Sequence, residues 1–113
     1  MKRTFYRKWG ESVDGLIVPN INGDWIDVVN TTNQKLRYMI KGGVCYVLAR
    51  IDGGYTTSWQ EMASAGSLPL PPYQLYPSMV TASNEFLCGY IGSNGNFEYK
   101  GNRDGTLLVS YPI

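Results

Sequence analysis

The sequence predicts an all-β protein, an antiparallel β-sandwich of jelly-roll-like type with roughly eight short strands. Three observations predict it. Apolar and polar residues alternate at period two in several segments, and no segment sustains a helical period. Turn residues such as Gly-Gly, Asp-Gly and Asn-Gly recur about every ten residues. Nine Tyr and three Trp form a heavy load of the aromatic side chains that strands and binding surfaces favour. A chain of 113 residues is one domain by size, read here as an N-terminal segment over 1–14 and a single sandwich over 15–113.

The first third carries short β-candidates at Leu16 to Val18 and Trp25 to Val29, with turn signals at Pro19-Asn20 and Asn22-Gly23 between them. Lys35 to Lys41 alternates, with Leu36, Tyr38 and Ile40 expected inward and Arg37 and Met39 outward. Gly42-Gly43 then reads as a two-residue hairpin turn. Val44 to Ile51 is apolar on both faces and is expected to be a central, doubly covered strand. Asp52-Gly53-Gly54 breaks it, and Thr57 to Ala65 follows, read as a strand in preference to a helical turn over Trp59 to Ala65.

Pro69, Pro71, Pro72 and Pro77 exclude a helix or central strand from their stretch. It is expected to be a rigid extended connection crossing from one sheet to the other. Met79 to Ala82 is a short strand candidate. The last third reads as a three-stranded antiparallel meander. Phe86 to Gly92 has Phe86, Cys88 and Tyr90 on one face and Leu87 and Ile91 on the other. Asn94-Gly95 suggests a type I′ turn. In the next strand Phe97 and Tyr99 oppose Asn96, Glu98 and Lys100. The Gly101 to Gly105 turn leads to a final strand with Leu107, Val109 and Tyr111 on one face.

Composition narrows the function. A net charge of +1 argues against a nucleic-acid binder. The one basic cluster, Lys2, Arg3, Arg7 and Lys8, reads as a solvated segment. No run approaches the roughly 20 apolar residues of a membrane span, so no membrane insertion is expected. The N-terminus lacks the apolar core of a signal peptide, which points to synthesis in a cytoplasm. Cys45 and Cys88 read as buried free thiols, with a cross-strand disulfide as the alternative.

With no histidine, the commonest general base and metal ligand is absent from the chain. The two isolated cysteines do not make a zinc site, and no glycine pair has the context of a phosphate loop. Asp24, Asp27, Asp52 and Asp104 lack the spacing of a calcium loop. The expectation is a protein that is not an enzyme and needs no cofactor or metal. Recognition remains, because tyrosine and tryptophan offer large amphipathic contact areas and Asn, Ser and Gly adaptable hydrogen bonds. The candidate ligand-binding residues are Asp52, Tyr55, Trp59, Asn94 and Arg103. Tyr73 and Tyr76 are further candidates near loops, though both read first as packing the proline connection onto the sandwich; Trp59 reads first as a core residue, and Tyr55 as exposed beside Asp52-Gly53-Gly54.

The order of these features carries a resemblance. A strand with Asp24-Trp25 precedes the hairpin Lys41-Gly42-Gly43-Val44-Cys45-Tyr46-Val47. A glycine loop, the Trp59 segment, Leu68-Pro69 and the proline-tyrosine stretch to Pro77 follow. The chain closes with Asn94-Gly95-Asn96-Phe97 and Ser110-Tyr111-Pro112-Ile113. Over roughly the last hundred residues this resembles the C-terminal head domains of bacteriophage and prophage tail fibres and receptor-binding proteins. Its stretch Pro71-Pro72-Tyr73-Gln74-Leu75-Tyr76-Pro77 is longer than the usual form and lacks the arginine found there. The resemblance implies a compact sandwich, a homotrimer, and a virion component of the phage tail. It also implies host attachment through a surface polysaccharide, teichoic acid or protein, bound by loops or between protomers, and contacts with other tail or baseplate proteins. Two other readings stand beside it: a structural trimerisation or decoration cap without a ligand, and a small carbohydrate-active enzyme.

Overall fold

A computed structural model describes residues 12–13, 16–17, 25–82 and 84–113. Among them every regular element is a strand. β1 (Ser12–Val13) and β2 (Leu16–Ile17) pair in a small hairpin. The expected boundary after residue 14 falls between these two strands, outside the described residues, as do the basic cluster, Asp24 and the turn signals at 19–23. Eight longer strands follow: β3 (Ile26–Asn30), β4 (Gln34–Lys41), β5 (Val44–Ile51), β6 (Thr56–Ala63), β7 (Ser78–Ala82), β8 (Glu85–Ile91), β9 (Phe97–Gly101) and β10 (Gly105–Pro112). They form two four-stranded antiparallel sheets, sheet I in the order β10-β5-β4-β3 and sheet II in the order β6-β9-β8-β7. The expected all-β sandwich is therefore observed. Among the described residues no helix is long and apolar enough to cross a membrane.

The period-two pattern sorts the faces. Leu36, Val47, Ala49, Ile51, Leu107 and Tyr111 of sheet I meet Leu87, Ile91, Phe97 and Tyr99 of sheet II in one buried cluster. The Gly42-Gly43 turn takes positive φ at both residues, 61° and 78°, as a type I′ hairpin requires. β5 is central, between β10 and β4. Its Leu48 points away from sheet II and is fully buried, as is Met39 on the same outer face of β4. Met39 is thus outward, as expected, without being a solvent residue. Ile40 faces inward but lies at the sandwich end and is half exposed.

Three connections differ from expectation. The C-terminal segment is not a three-stranded meander. β8 and β9 pair in sheet II, but β10 leaves for sheet I and pairs with β5 over its whole length, Gly105↔Ile51 to Pro112↔Val44. The meander lies one strand earlier, β7-β8-β9, and β6 returns beside β9 to complete a Greek key. Asn102, Arg103 and Asp104 are compatible with either a hairpin or an arch between sheets; packing decides. Side chains at Gly101 or Gly105 would press on the Phe86 carbonyl (2.6 Å) or the Met79 sulfur (2.9 Å), so the bare backbone drops close past β8 into the other sheet.

The second is the Asn94-Gly95 turn, which is not type I′. Among described non-glycine residues only Asn84 has a positive φ, so Asn94 does not supply the required angle. The loop is instead a three-residue type. Gly95 N–H donates to Gly92 O (2.9 Å), Gly92 N–H to Asn96 O (3.2 Å), and Gly95 alone is left-handed at 83°.

The third is the proline connection, which stays with sheet II. It runs from β6 to β7 across the sandwich end, from one edge of the sheet to the other. Gly66 N–H donates to Asn94 O (2.8 Å) and Leu68 N–H to Gly95 O (3.0 Å), and Leu75 bridges Ile91. From sheet I the buried Tyr111 hydroxyl reaches across to donate to Pro69 O (2.6 Å).

Cys45 faces the core and Cys88 lies on the outer face of sheet II, half buried; both thiols are free. Cys88 thus differs from the expected buried thiol. Burial pushes the Cys45 thiol up.

Removing the Tyr111 hydroxyl while keeping its ring tests its bonds to Pro69 O and to the Cys45 thiol together. Tyr111→Phe is expected to cost about 1–2 kcal/mol in urea unfolding, and Tyr73→Phe on the exposed connection less than about 0.5 kcal/mol. Equal effects would show that the buried Tyr111 hydroxyl contributes nothing special.

Candidate functional site

Because Leu87, Gly89 and Ile91 of β8 face the core, Phe86, Cys88 and Tyr90 must face outward. Because Phe97, Tyr99 and Gly101 of β9 face the core, Glu98 and Lys100 share that outer face, opposite Tyr90 and Cys88 in register. β6 is the edge strand beyond β9. Its Trp59 is 39% exposed, so it is a surface residue and not a core one. The physical reason is position: β6 is an edge strand with a register irregularity before Gln60, and among the described residues no second sheet covers its outer face. Tyr76, at the end of the proline connection, is more exposed still, at 58%.

These side chains converge. The Trp59 ring lies 6.0 Å from Tyr90 with a 60° angle between planes, and 6.3 Å edge-on from Tyr76. Tyr76 and Tyr90 are 5.0 Å apart. Together with Glu98 they line an open hollow of about 330 Å³. Polar neighbours hold its walls. Gln74 Nε2 donates to the Tyr90 hydroxyl (3.0 Å), and Asn96 Nδ2 donates to Glu98 Oε2 (3.2 Å). Lys100 Nζ stands 4.8 Å from the Trp59 ring centre, a cation–π contact. Three aromatic rings, a carboxylate and an ammonium on one rigid sheet face can stack against a flat apolar ligand surface and bond its polar rim.

The expected binding residues do not assemble into one place. Of them Trp59, with the further candidate Tyr76, belongs to the hollow. Asp52, Tyr55 and Arg103 gather at the sandwich end where β5 crosses to β6 and β9 to β10. There Asp52 Oδ1 accepts from Arg50 Nε (3.0 Å) and Nη2 (2.6 Å), and Arg50 Nη1 donates to Thr106 Oγ1 (3.2 Å). Asp104 Oδ1 accepts from Gly53 N–H (2.9 Å) and the Tyr55 hydroxyl (2.6 Å). Arg103 donates to its neighbour's carbonyl, Asp104 O, and pairs with Glu85 at 3.6 Å. The ring of Tyr55 is exposed, as expected, but its hydroxyl ties one crossing to the other. Asn94 lies at the opposite end, where its Oδ1 accepts from Asn96 N–H (3.2 Å) within the loop. Tyr73 is exposed and Tyr76 packs on other aromatic rings.

Tyr90, Glu98 and Lys100 were not among the sequence candidates. The signal for them was parity: each alternates with core residues, so each had to face outward together. Among the described residues no group of three or more acidic or cysteine side chains could hold a metal ion.

The end network carries a pH signature. The Tyr55 hydroxyl, and then the Gly53 amide, hold the Asp104 carboxyl below the usual carboxylate range. That same bond pushes the Tyr55 phenol up. A carboxyl that titrates lower when folded adds stability above its unfolded value, lost as pH falls through the folded one. The melting temperature of Asp104→Ala should therefore lie below that of the wild type by a steady margin down to about pH 5, with the gap closing below about pH 4. A gap unchanged in acid would contradict the assignment. No family model, curated protein or solved structure matches the chain.

Proposed function

We propose that this domain is a receptor-binding module that holds a saccharide of a bacterial surface against the outer face of sheet II, without turning it over. The observation that carries the reading is the hollow formed by Trp59, Tyr76 and Tyr90 with Glu98 in its wall. Aromatic faces cover the apolar face of a sugar ring, while Glu98, Lys100 and Gln74 supply the acceptor and donors that hydroxyl groups need. The rings stand on paired strands or on a tethered connection, so little freedom is lost on binding.

The resemblance to phage tail-fibre heads supports the same class and adds a setting: a homotrimer at the tip of a virion tail, presenting three weak sites at high effective concentration. The half-exposed Ile26, Ile40, Leu70 and Ile113 supply apolar surface for protomer contacts. A purely structural cap would have no need of an open aromatic hollow.

Binding to an array of bacterial surface polysaccharides tests the reading. Trp59→Ala is expected to weaken the best saccharide by about 2 kcal/mol, roughly thirtyfold, with unchanged unfolding midpoint. No hydrolysis products should accumulate. Light scattering should give three times the chain mass of 12.6 kDa. Equal binding by the Trp59 variant would remove the hollow from the account, and a stable monomer would remove the trimer.

A further inference from the structure

The hollow is built for a positive charge as well as for a ring. Its walls are three aromatic side chains whose planes meet at 46° to 60°, with centres 5.0 to 6.3 Å apart. Three rings inclined to one another about one hollow can turn part of their negative faces toward a cation placed in it, and a quaternary ammonium is a group that aromatic cages recognise. Among the described residues the one charged side chain of the lining is acidic, Glu98. Glu98 also stands directly opposite Glu61 of β6 in register. Like charges across a strand pair repel, so a cation beside Glu98 relieves a cost the free domain carries. Lys100 shows that the Trp59 ring already accepts an ammonium.

Lys100 adds a second half. It lies two residues from Glu98 on the same face of β9, about 7 Å along the strand, and outside the lining of the hollow. A carboxylate inside an aromatic cage with a lysine one step outside matches a ligand carrying an ammonium at its tip and an anion just behind it. We propose that the saccharide bound by this domain bears a phosphocholine-type substituent. Its trimethylammonium sits among Trp59, Tyr76, Tyr90 and Glu98, and its phosphate faces Lys100. The proposal rests on the hollow being the binding site and names the chemical group that fills it.

Calorimetric titration of the full chain tests it with choline, phosphocholine, and the neutral isostere in which a tert-butyl group replaces trimethylammonium. Choline should bind at least about tenfold more tightly than the isostere, and phosphocholine more tightly than choline. Glu98→Gln should weaken choline and phosphocholine about tenfold each, whereas Lys100→Gln should weaken phosphocholine alone. A polysaccharide carrying phosphocholine should lose binding when the substituent is stripped. Equal binding of choline and isostere, or no binding of choline, would overturn the proposal. If unsubstituted saccharides then still bind in a Trp59-dependent way, the receptor-binding reading survives it; if they do not, both fall. Binding to phosphatidylcholine vesicles as tight as to the polysaccharide would overturn the saccharide as the source of the group.

Discussion

Two buried tyrosine hydroxyls, one at each end of the sandwich, determine how the rest of the molecule is arranged. Tyr99 donates to Gly54 O (2.6 Å), on the crossing from sheet I to sheet II, and accepts from Gln34 Nε2 (3.0 Å). Tyr111 donates to Pro69 O (2.6 Å) on the long connection within sheet II. Both rings are at most 2% exposed. A buried phenol without a partner costs far more than the net gain of a satisfied one, so each ring is stable in the core only with its connection in place. Burial also pushes the Tyr111 phenol far above its usual range, keeping it a donor at any ordinary pH.

These ties reach the outer face of sheet II. With Tyr99 held inward, Glu98 and Lys100 on either side of it have to point outward. With Pro69 anchored by Tyr111 and Leu75 paired to Ile91, the connection delivers Tyr76 to the Tyr90 ring. The aromatic hollow is therefore an outcome of core packing, and its walls are set before any ligand arrives. The network around Asp104 does a different job. Its charges and hydroxyls satisfy one another across two chain crossings, which makes that end a clasp.

The strands and their faces were legible because one face of each sheet is buried, and burial writes a period of two into the residues. Phe97, Tyr99, Leu107 and Tyr111 could be placed inward on that ground alone. The partner of β10 was not legible. Its faces are the same whether it pairs with β9 or β5, and the choice depends on how closely Gly101 and Gly105 approach β8, a contact far away in sequence. The Asn94-Gly95 pair misled for a related reason: backbone bonds to Gly66 and Leu68 fix that loop, overriding its local turn preference. Of the site, Trp59 and Tyr76 were visible as candidates, but the surface position of Trp59 was not, since nothing local marks β6 as an edge. Residues on turns drew attention for their polarity, and at Asp52, Tyr55 and Arg103 that polarity is spent on partners within the chain or on tying the loops together.

Ligand is proposed to meet the outer face of sheet II and not the loop ends. Backbone and indole NMR shifts, followed while a bound surface saccharide is titrated in, test it most directly. The largest changes are expected on the Trp59 indole and on residues of β6, β8 and β9 around Tyr90 and Glu98, with Asp52 to Tyr55 and Asn102 to Asp104 unmoved. Changes concentrated on those two loops, with the Trp59 indole still, would contradict it.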